Sequence, residues 1–217
     1  MAGFLFDMDG TLLDSIRVWH EAEELLLHSM KVELTKEQRD KVNALTLQEA
    51  AVFFHEQFGI LESADDVVRK IIDYMLHFYR TAVEANPGAF EFVQALHESG
   101  APLCVLSSSP QSFLQAGLAR SGLKRFFDDD LIISAEELGL VKRDPRTFEY
   151  MCDKLGTAPE DTWLFDDSWY ALATAHDMGV RCVGVFSTDS CGTHEELERY
   201  CERVVDSFTE LDVRDFL

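Results

Sequence analysis

The stretch Gly3-Phe-Leu-Phe-Asp7-Met-Asp9-Gly-Thr-Leu-Leu-Asp-Ser15 decides the fold of this 217-residue chain. Its apolar run at residues 4–6 is typical of a short buried strand, and two carboxylates follow directly. Alternation along an extended chain turns Asp7 and Asp9 to the same side. Two such charges repel each other, and a divalent cation that prefers carboxylate oxygens relieves the repulsion. The stretch therefore predicts a metal-assisted carboxylate nucleophile, with an ordinary acidic turn as the alternative.

The balance of charged residues limits the classes of partner that the protein can bind. The chain carries 19 basic and 40 acidic residues, a formal net charge of −21, which argues against nucleic acid and anionic membranes as partners. No window has the roughly 18 apolar residues of a membrane helix, and nothing resembles a signal peptide. The 5 cysteines are scattered, without a Cys-x-x-Cys pair, which favours reduced thiols. We expect a cytoplasmic protein.

Residues 16–86 contain no convincing strand pattern, and apolar residues recur there at helical spacing. We expect helices in this region over residues 17–30, 35–43, 46–58 and 64–84. From residue 88 onward, apolar runs typical of buried strands alternate with helical patterns, several of which end at glycine. The expected strands cover residues 103–107, 131–133, 162–166, 181–186 and 203–205. The expected helices cover residues 88–98, 110–121, 145–155, 169–178 and 193–201.

Repeated strand–helix units favour the α/β class, with a Rossmann-like parallel sheet covered by helices. The first strand belongs to that sheet, so an all-helical cap is inserted after it. The predicted core domain comprises residues 1–15 and 88–217, and the predicted cap domain comprises residues 16–87. An insert at this point lies beside the carboxyl edge of the sheet, where ligands bind in folds of this kind.

Polar side chains stand at the ends of three predicted strands. The first strand is followed by Asp7 and Asp9, and the others end in Ser107-Ser108-Ser109 and in Asp166-Asp167-Ser168. Because the carboxyl ends of parallel strands share one edge, we expect these groups to cluster. A nearby loop supplies a cation, either Lys142 or its neighbour Arg143.

The ordered set of motifs resembles the haloacid dehalogenase superfamily of phosphohydrolases, over nearly the whole chain. More narrowly it is similar to the helical-cap branch that holds phosphoglycolate phosphatase-like enzymes and β-phosphoglucomutase. The resemblance implies that Asp7 is the nucleophile and Asp9 the general acid and base. It implies a Mg²⁺ ion held by Asp7, Asp9 (through its backbone carbonyl), Asp166 and Asp167. It also implies substrate contacts from Gly10, Thr11, Ser107, Ser108 and Lys142, with Ser107 and Lys142 counted among the catalytic groups.

The expected function is a Mg²⁺-dependent phosphatase that hydrolyses a small phosphorylated metabolite through an aspartyl-phosphate. The sequence leaves the oligomeric state open. A sugar-phosphate mutase is one alternative, but Trp19 stands where such mutases present a histidine, and residues 42–47 lack their glycine and arginine. A catalytically silent binding protein is another. A dehalogenase would need neither Asp9 nor the Asp166-Asp167 pair.

Overall fold

The apolar run near the start of the chain forms strand β1 (Gly3–Phe6), which lies inside a parallel sheet. The structure is a computed structural model that describes residues 2–42, 47–187 and 192–217. Within those residues the sheet has six strands in the order β3-β2-β1-β4-β5-β6. The other strands are β2 (Leu103–Ser107), β3 (Ile132–Ser134), β4 (Thr162–Asp166), β5 (Arg181–Val185) and β6 (Arg203–Val205).

The order of the strands creates a crevice beside β1. The chain proceeds outward from β1 to β2 and β3, and then returns to pair β4 with the other side of β1. Phe4 accordingly aligns with Leu103 of β2 on one side and with Trp163 of β4 on the other. Such a reversal of strand order opens a ligand crevice outside the carboxyl ends of the strands. The predicted α/β class and parallel sheet are therefore confirmed.

Helices cover both faces of the sheet, because strand side chains alternate. The helices in the part of the chain that forms the sheet are α5 (Ala89–Glu98), α6 (Gln111–Arg120), α7 (Pro145–Leu155), α8 (Trp169–Asp177) and α9 (His194–Glu198). On one face, Leu5 belongs to a buried cluster with Phe148 of α7 and Leu172 of α8. On the other face, Phe6 stacks on Phe165 with ring centroids 4.9 Å apart. Burial of the apolar alternation on both faces is what holds β1 at the centre.

The chain divides into two compact units, one comprising Met1–Ile16 with Tyr79–Leu217, and the other comprising Arg17–Phe78. The second unit is helical in the residues described, and the chain there forms α1 (Ile16–Ser29), α2 (Lys36–Val42), α3 (Leu47–Phe58) and α4 (Ala64–Thr81). Buried Val67, Ile71 and Met75 recur along α4 at the spacing of one helical face. No helix in the described ranges is long and apolar enough to cross a membrane.

Several predicted boundaries were wrong. Helix α4 ends at Thr81 rather than at residue 84, because the segment after it pairs with the loop that follows β1: Leu13 and Ala85 form an antiparallel bridge. Residues 79–87 belong to the first compact unit, and the cap domain over residues 16–87 stays a prediction. Strand β3 begins one residue later than predicted, after a turn of 3₁₀ helix, and α9 is shorter at both ends.

Parts of several sequence predictions fall outside what the structure describes. Residues 43 and 46 of the predicted helices, and Cys191, lie outside the described residues, as does the side chain of Trp19. The remaining cysteines, which are Cys104, Cys152, Cys182 and Cys201, carry free thiols in this structure.

Candidate active site

The carboxyl ends of β1, β2 and β4 bring the predicted site residues together. Asp7 follows β1, and its backbone N–H donates a hydrogen bond of 2.9 Å to the carbonyl of Phe165 in β4. Asp166 is the last residue of β4, and Ser107 is the last residue of β2. Because backbone pairing with β4 continues past the end of β1, the Asp7 side chain lies close to Asp166 at the end of β4.

Three carboxylates and one ammonium group form the centre of this site. One oxygen from each of Asp7, Asp166 and Asp167 lies within 4.8 Å of the others, and all three residues are buried. The Lys142 Nζ donates a hydrogen bond of 2.8 Å to Asp166 Oδ2 and a second to Asp7 Oδ1. Lys142 is only 4% exposed, so it is a buried partner of the carboxylates rather than a solvated loop residue.

Burial and mutual repulsion act on the protonation of these groups. Burial, and then the charges of Asp166 and Asp167, raise the pKa of Asp7 well above its usual value, although Lys142 opposes this. Burial followed by the charge of Asp166 raises the pKa of Asp167 to about 7. Burial alone would lower the pKa of Lys142, but attraction to Asp166 and Asp7 outweighs it and raises that pKa. The lysine therefore stays charged, while the carboxylates lack enough positive charge to balance them.

The sequence left open which cation faces the carboxylates, and the structure assigns Lys142. The chain turns between Val141 and Asp144, with the Thr147 hydroxyl donating to the Val141 carbonyl at 2.7 Å. The exposed Arg143 guanidinium lies over the Tyr170 ring instead, 4.4 Å from its centroid. Consecutive side chains thus diverge, one to the buried site and one to the surface.

A cavity opens beside Lys142. Its volume is about 380 Å³, and its walls are formed by residues that follow β2, precede α7 and begin α8. They are Ser108, Glu136, Leu140, Val141, Lys142, Arg143 and Tyr170. The exposed Ser108 and the buried Lys142 therefore share a solvent-accessible recess.

The Asp9 carboxylate has a different environment, made of hydroxyl groups. Its Oδ1 accepts hydrogen bonds from Ser15 Oγ at 2.6 Å and from the Tyr79 hydroxyl, and its Oδ2 accepts from Ser109 Oγ at 2.6 Å and Ser107 Oγ at 3.3 Å. Asp9 is not part of the three-carboxylate group found in the described chain.

The sequence predicted a place for Ser109 in the cluster at the strand ends but not its contact with Asp9, and the contacts of Ser15 and Tyr79 with Asp9 were not predicted. A signal existed for Ser109, because it lies two residues after Ser107 and alternation gives the two hydroxyls a common side. None existed for Tyr79, which lies 70 residues from Asp9 along the chain.

Gly10 and Thr11 shape the turn after β1. Gly10 has a positive φ of 81°, which a residue with a Cβ rarely adopts, and Leu13 closes the turn by donating to the Met8 carbonyl at 2.9 Å. The Asn86 amide donates to the Thr11 carbonyl at 2.6 Å and ties the returning chain to this turn. The Thr11 side chain is fully buried, and its hydroxyl has no hydrogen-bond partner among the residues that the structure describes. Contact of either residue with a substrate stays a prediction.

The carboxylate oxygens of Asp7, Asp166 and Asp167 are suitable ligands for a hard divalent cation. When all three carboxyl groups are ionised, the single ammonium group leaves two negative charges uncompensated within the buried group. Since Asp166 already accepts hydrogen bonds from Lys142 and, at 2.9 Å, from the Ser168 N–H, the oxygens of Asp7 and Asp167 retain more free lone pairs. Carboxylate oxygens are the ligands that Mg²⁺ and similar ions prefer. The group could therefore bind a metal ion.

Comparison with known proteins gives consistent results. The family model described as haloacid dehalogenase-like hydrolase matches residues 4–185. A phosphorylated carbohydrates phosphatase of Thermotoga maritima is 23% identical over 186 residues, or 85% of each chain. A validoxylamine A 7'-phosphate phosphatase of Streptomyces hygroscopicus subsp. limoneus is 26% identical over 184 residues, again 85% of each. A solved structure described as a putative beta-phosphoglucomutase from Thermotoga maritima superposes with a TM-score of 0.82, covering 94% of both chains at 22% identity.

Proposed function

This chain belongs to the haloacid dehalogenase-like hydrolase family, and we propose that it is a Mg²⁺-dependent phosphatase acting on a small phosphorylated metabolite. The observation that carries the proposal is the buried Asp7 carboxylate, bound to Lys142 and grouped with Asp166 and Asp167 at the strand ends. The phosphatase names of the curated relatives support the same reaction class. The free thiols support a reducing, cytoplasmic location.

Asp7 is the nucleophile in this proposal. A carboxylate oxygen of Asp7 forms a bond to phosphorus while the bond from phosphorus to the leaving oxygen breaks, which gives an aspartyl-phosphate. Lys142 donates to Asp7 and stays charged, so it can compensate negative charge on the transferring group. Ser107 ends β2 and Ser108 follows it at the same edge, where both can donate hydrogen bonds to phosphoryl oxygens.

Asp9 supplies the proton chemistry. In the first half-reaction it gives a proton to the departing oxygen, and in the second it takes a proton from the water that attacks phosphorus. That attack breaks the Asp7–phosphorus bond, releases inorganic phosphate and restores both carboxyl groups. The separate environments of Asp7 and Asp9 support the division of roles, because one lies with an ammonium group and the other among hydroxyls.

The metal site fits the charge of the residues present. Asp7, Asp166 and Asp167, with the backbone carbonyl of Asp9, would hold the ion, and a bound Mg²⁺ would neutralise phosphoryl charge.

The test is release of inorganic phosphate from 4-nitrophenyl phosphate with Mg²⁺. We expect Asp7→Asn to lower turnover by at least about a thousandfold, because an amide is not a nucleophile. Asp14→Asn is the matched control, since Asp14 is an exposed aspartate close by in the same stretch, and it should retain activity. Equal turnover by wild type and Asp7→Asn would refute the role of Asp7.

Two alternatives have distinct outcomes. A sugar-phosphate mutase would need a bisphosphate activator and would yield an isomerised product, so phosphate release without isomerisation excludes it. A silent binding protein would gain thermal stability from Mg²⁺ with a fluoride complex that mimics the phosphoryl group, yet show no turnover.

A further inference from the structure

Four hydroxyl groups surround the Asp9 carboxylate, two on each oxygen. Ser15 and Tyr79 bind Oδ1, and Ser107 and Ser109 bind Oδ2. Ser107 ends β2 at the proposed phosphoryl-binding edge, so Oδ2 shares a hydroxyl with that edge, whereas Oδ1 accepts only from Ser15 and Tyr79 among the described residues. The two oxygens are therefore not equivalent.

Tyr79 is held by packing as well as by its hydroxyl. The side chain is fully buried, and its ring stacks on Phe113 of α6 with centroids 4.9 Å apart and planes at 23°. Gly117, one turn further along α6, makes room for it, because a Cβ there would lie 3.0 Å from Tyr79 Cδ1 and 2.7 Å from Leu13 Cδ1. This packing against α6 fixes the ring, and its hydroxyl is directed at Asp9.

The Tyr79 hydroxyl is a hydrogen-bond donor to Asp9 Oδ1. A phenol that keeps its proton can donate continuously to Oδ1 and so keep that oxygen an acceptor.

We infer that Tyr79, assisted by Ser15, is a positioning residue that reserves Asp9 Oδ2 for proton transfer to and from the substrate side. This inference rests on the proposed phosphatase function. In the first half-reaction the proton leaves Oδ2 for the leaving oxygen as its bond to phosphorus breaks. In the second, Oδ2 takes a proton from the attacking water. Oδ1 keeps its two hydrogen bonds in both, so the carboxyl group does not rotate.

The test uses two substrates that share a ring and differ in leaving group. Phenolate is a much more basic leaving group than 4-nitrophenolate and so depends more on a general acid. The parameter is kcat/KM, which reports only the steps up to departure of the phenol. We expect Tyr79→Phe to lower kcat/KM for phenyl phosphate roughly tenfold more than for 4-nitrophenyl phosphate, because misplacing Asp9 costs most where protonation matters most.

Matched variants separate positioning from general damage. Tyr79→Phe keeps the stacked ring, and Tyr74→Phe removes a hydroxyl from the same helix and should show no substrate-dependent loss. Ser15→Ala removes the other donor to Oδ1 and should reproduce the selective loss. Thermal unfolding followed by circular dichroism checks each fold, and if Tyr79→Phe does not fold, Ser15→Ala decides.

The outcomes distinguish this inference from the proposed function. Equal losses for both substrates, or no loss for either, would overturn the positioning role while leaving the phosphatase intact. If wild-type protein with Mg²⁺ hydrolyses neither substrate, the phosphatase proposal fails, and the positioning role falls with it.

Discussion

Replacing Lys142 by methionine should lower the free energy of unfolding of the metal-free protein more than the same replacement of the neighbouring Arg143. The Nζ lies 2.8 Å from Asp166 Oδ2, an attraction of about 6 kcal/mol at an effective dielectric constant of 20. Part of this is offset because methionine costs nothing to bury, whereas the ammonium group must lose its water. Removing one member of a buried charge group usually costs about 3–5 kcal/mol, since the remaining charges stay buried and uncompensated. We expect a loss of that size for Lys142→Met near pH 8.

The sign of the pH dependence follows from the same charges. Pairing with Asp166 and Asp7 raises the pKa of Lys142, so its contribution to stability is complete at neutral pH and is lost only as the pH rises above the usual lysine range. In Lys142→Met the crowded carboxyl groups can take up protons at low pH. The difference in free energy of unfolding between variant and wild type should therefore shrink between about pH 8 and about pH 5.

The assay is urea unfolding in EDTA, followed by far-ultraviolet circular dichroism at both pH values. Arg143→Met is the control, because the Arg143 side chain is exposed and its contact with the Tyr170 ring is worth about 0.5–1 kcal/mol. If Lys142→Met is as stable as wild type at the higher pH, or if the two methionine variants lose equal stability, the electrostatic account of the site is refuted.

Three further predictions concern the site and its supports. Asn86→Ala should lower the free energy of unfolding by about 1–3 kcal/mol in urea titrations, because the buried Thr11 carbonyl loses its hydrogen-bond donor. Unchanged stability would contradict a stabilising role for this hydrogen bond. Gly117→Ala should lower the free energy of unfolding by about 1–3 kcal/mol, because the added Cβ would crowd Leu13 and Tyr79. This loss should outweigh the better helix propensity of alanine, and a rise in melting temperature would contradict the close packing. Burial and the charge of Asp166 raise the pKa of Asp167 from 3.8 to about 7. Between these two pH values, Asp167 binds a proton in the folded metal-free protein but not in the unfolded chain. The protein's melting temperature in EDTA should therefore fall as the pH rises through about 7, and Asp167→Asn should reduce this slope; a slope unchanged in the variant would exclude Asp167 as its source.

Local sequence patterns predicted the interior strands of this protein well. The predicted strands 103–107 and 162–166 match β2 and β4, because short apolar runs bounded by turn residues can be satisfied only by burial inside a sheet. The end of α4 was placed too far along the chain, since its helical periodicity continues past Thr81. Pairing of Leu13 with Ala85 competes with the helix there, and no local pattern carries that information.

The sequence by itself determined the family, the parallel α/β architecture and the acidic group, because short motifs at strand ends must converge once the strands are parallel. Only the tertiary structure decided which of two adjacent cations enters the site, since the direction of a side chain depends on the turn that carries it. It also decided that Tyr79 completes the environment of Asp9. Contacts between residues far apart in the chain arise from packing, and packing leaves no periodic signal in the sequence.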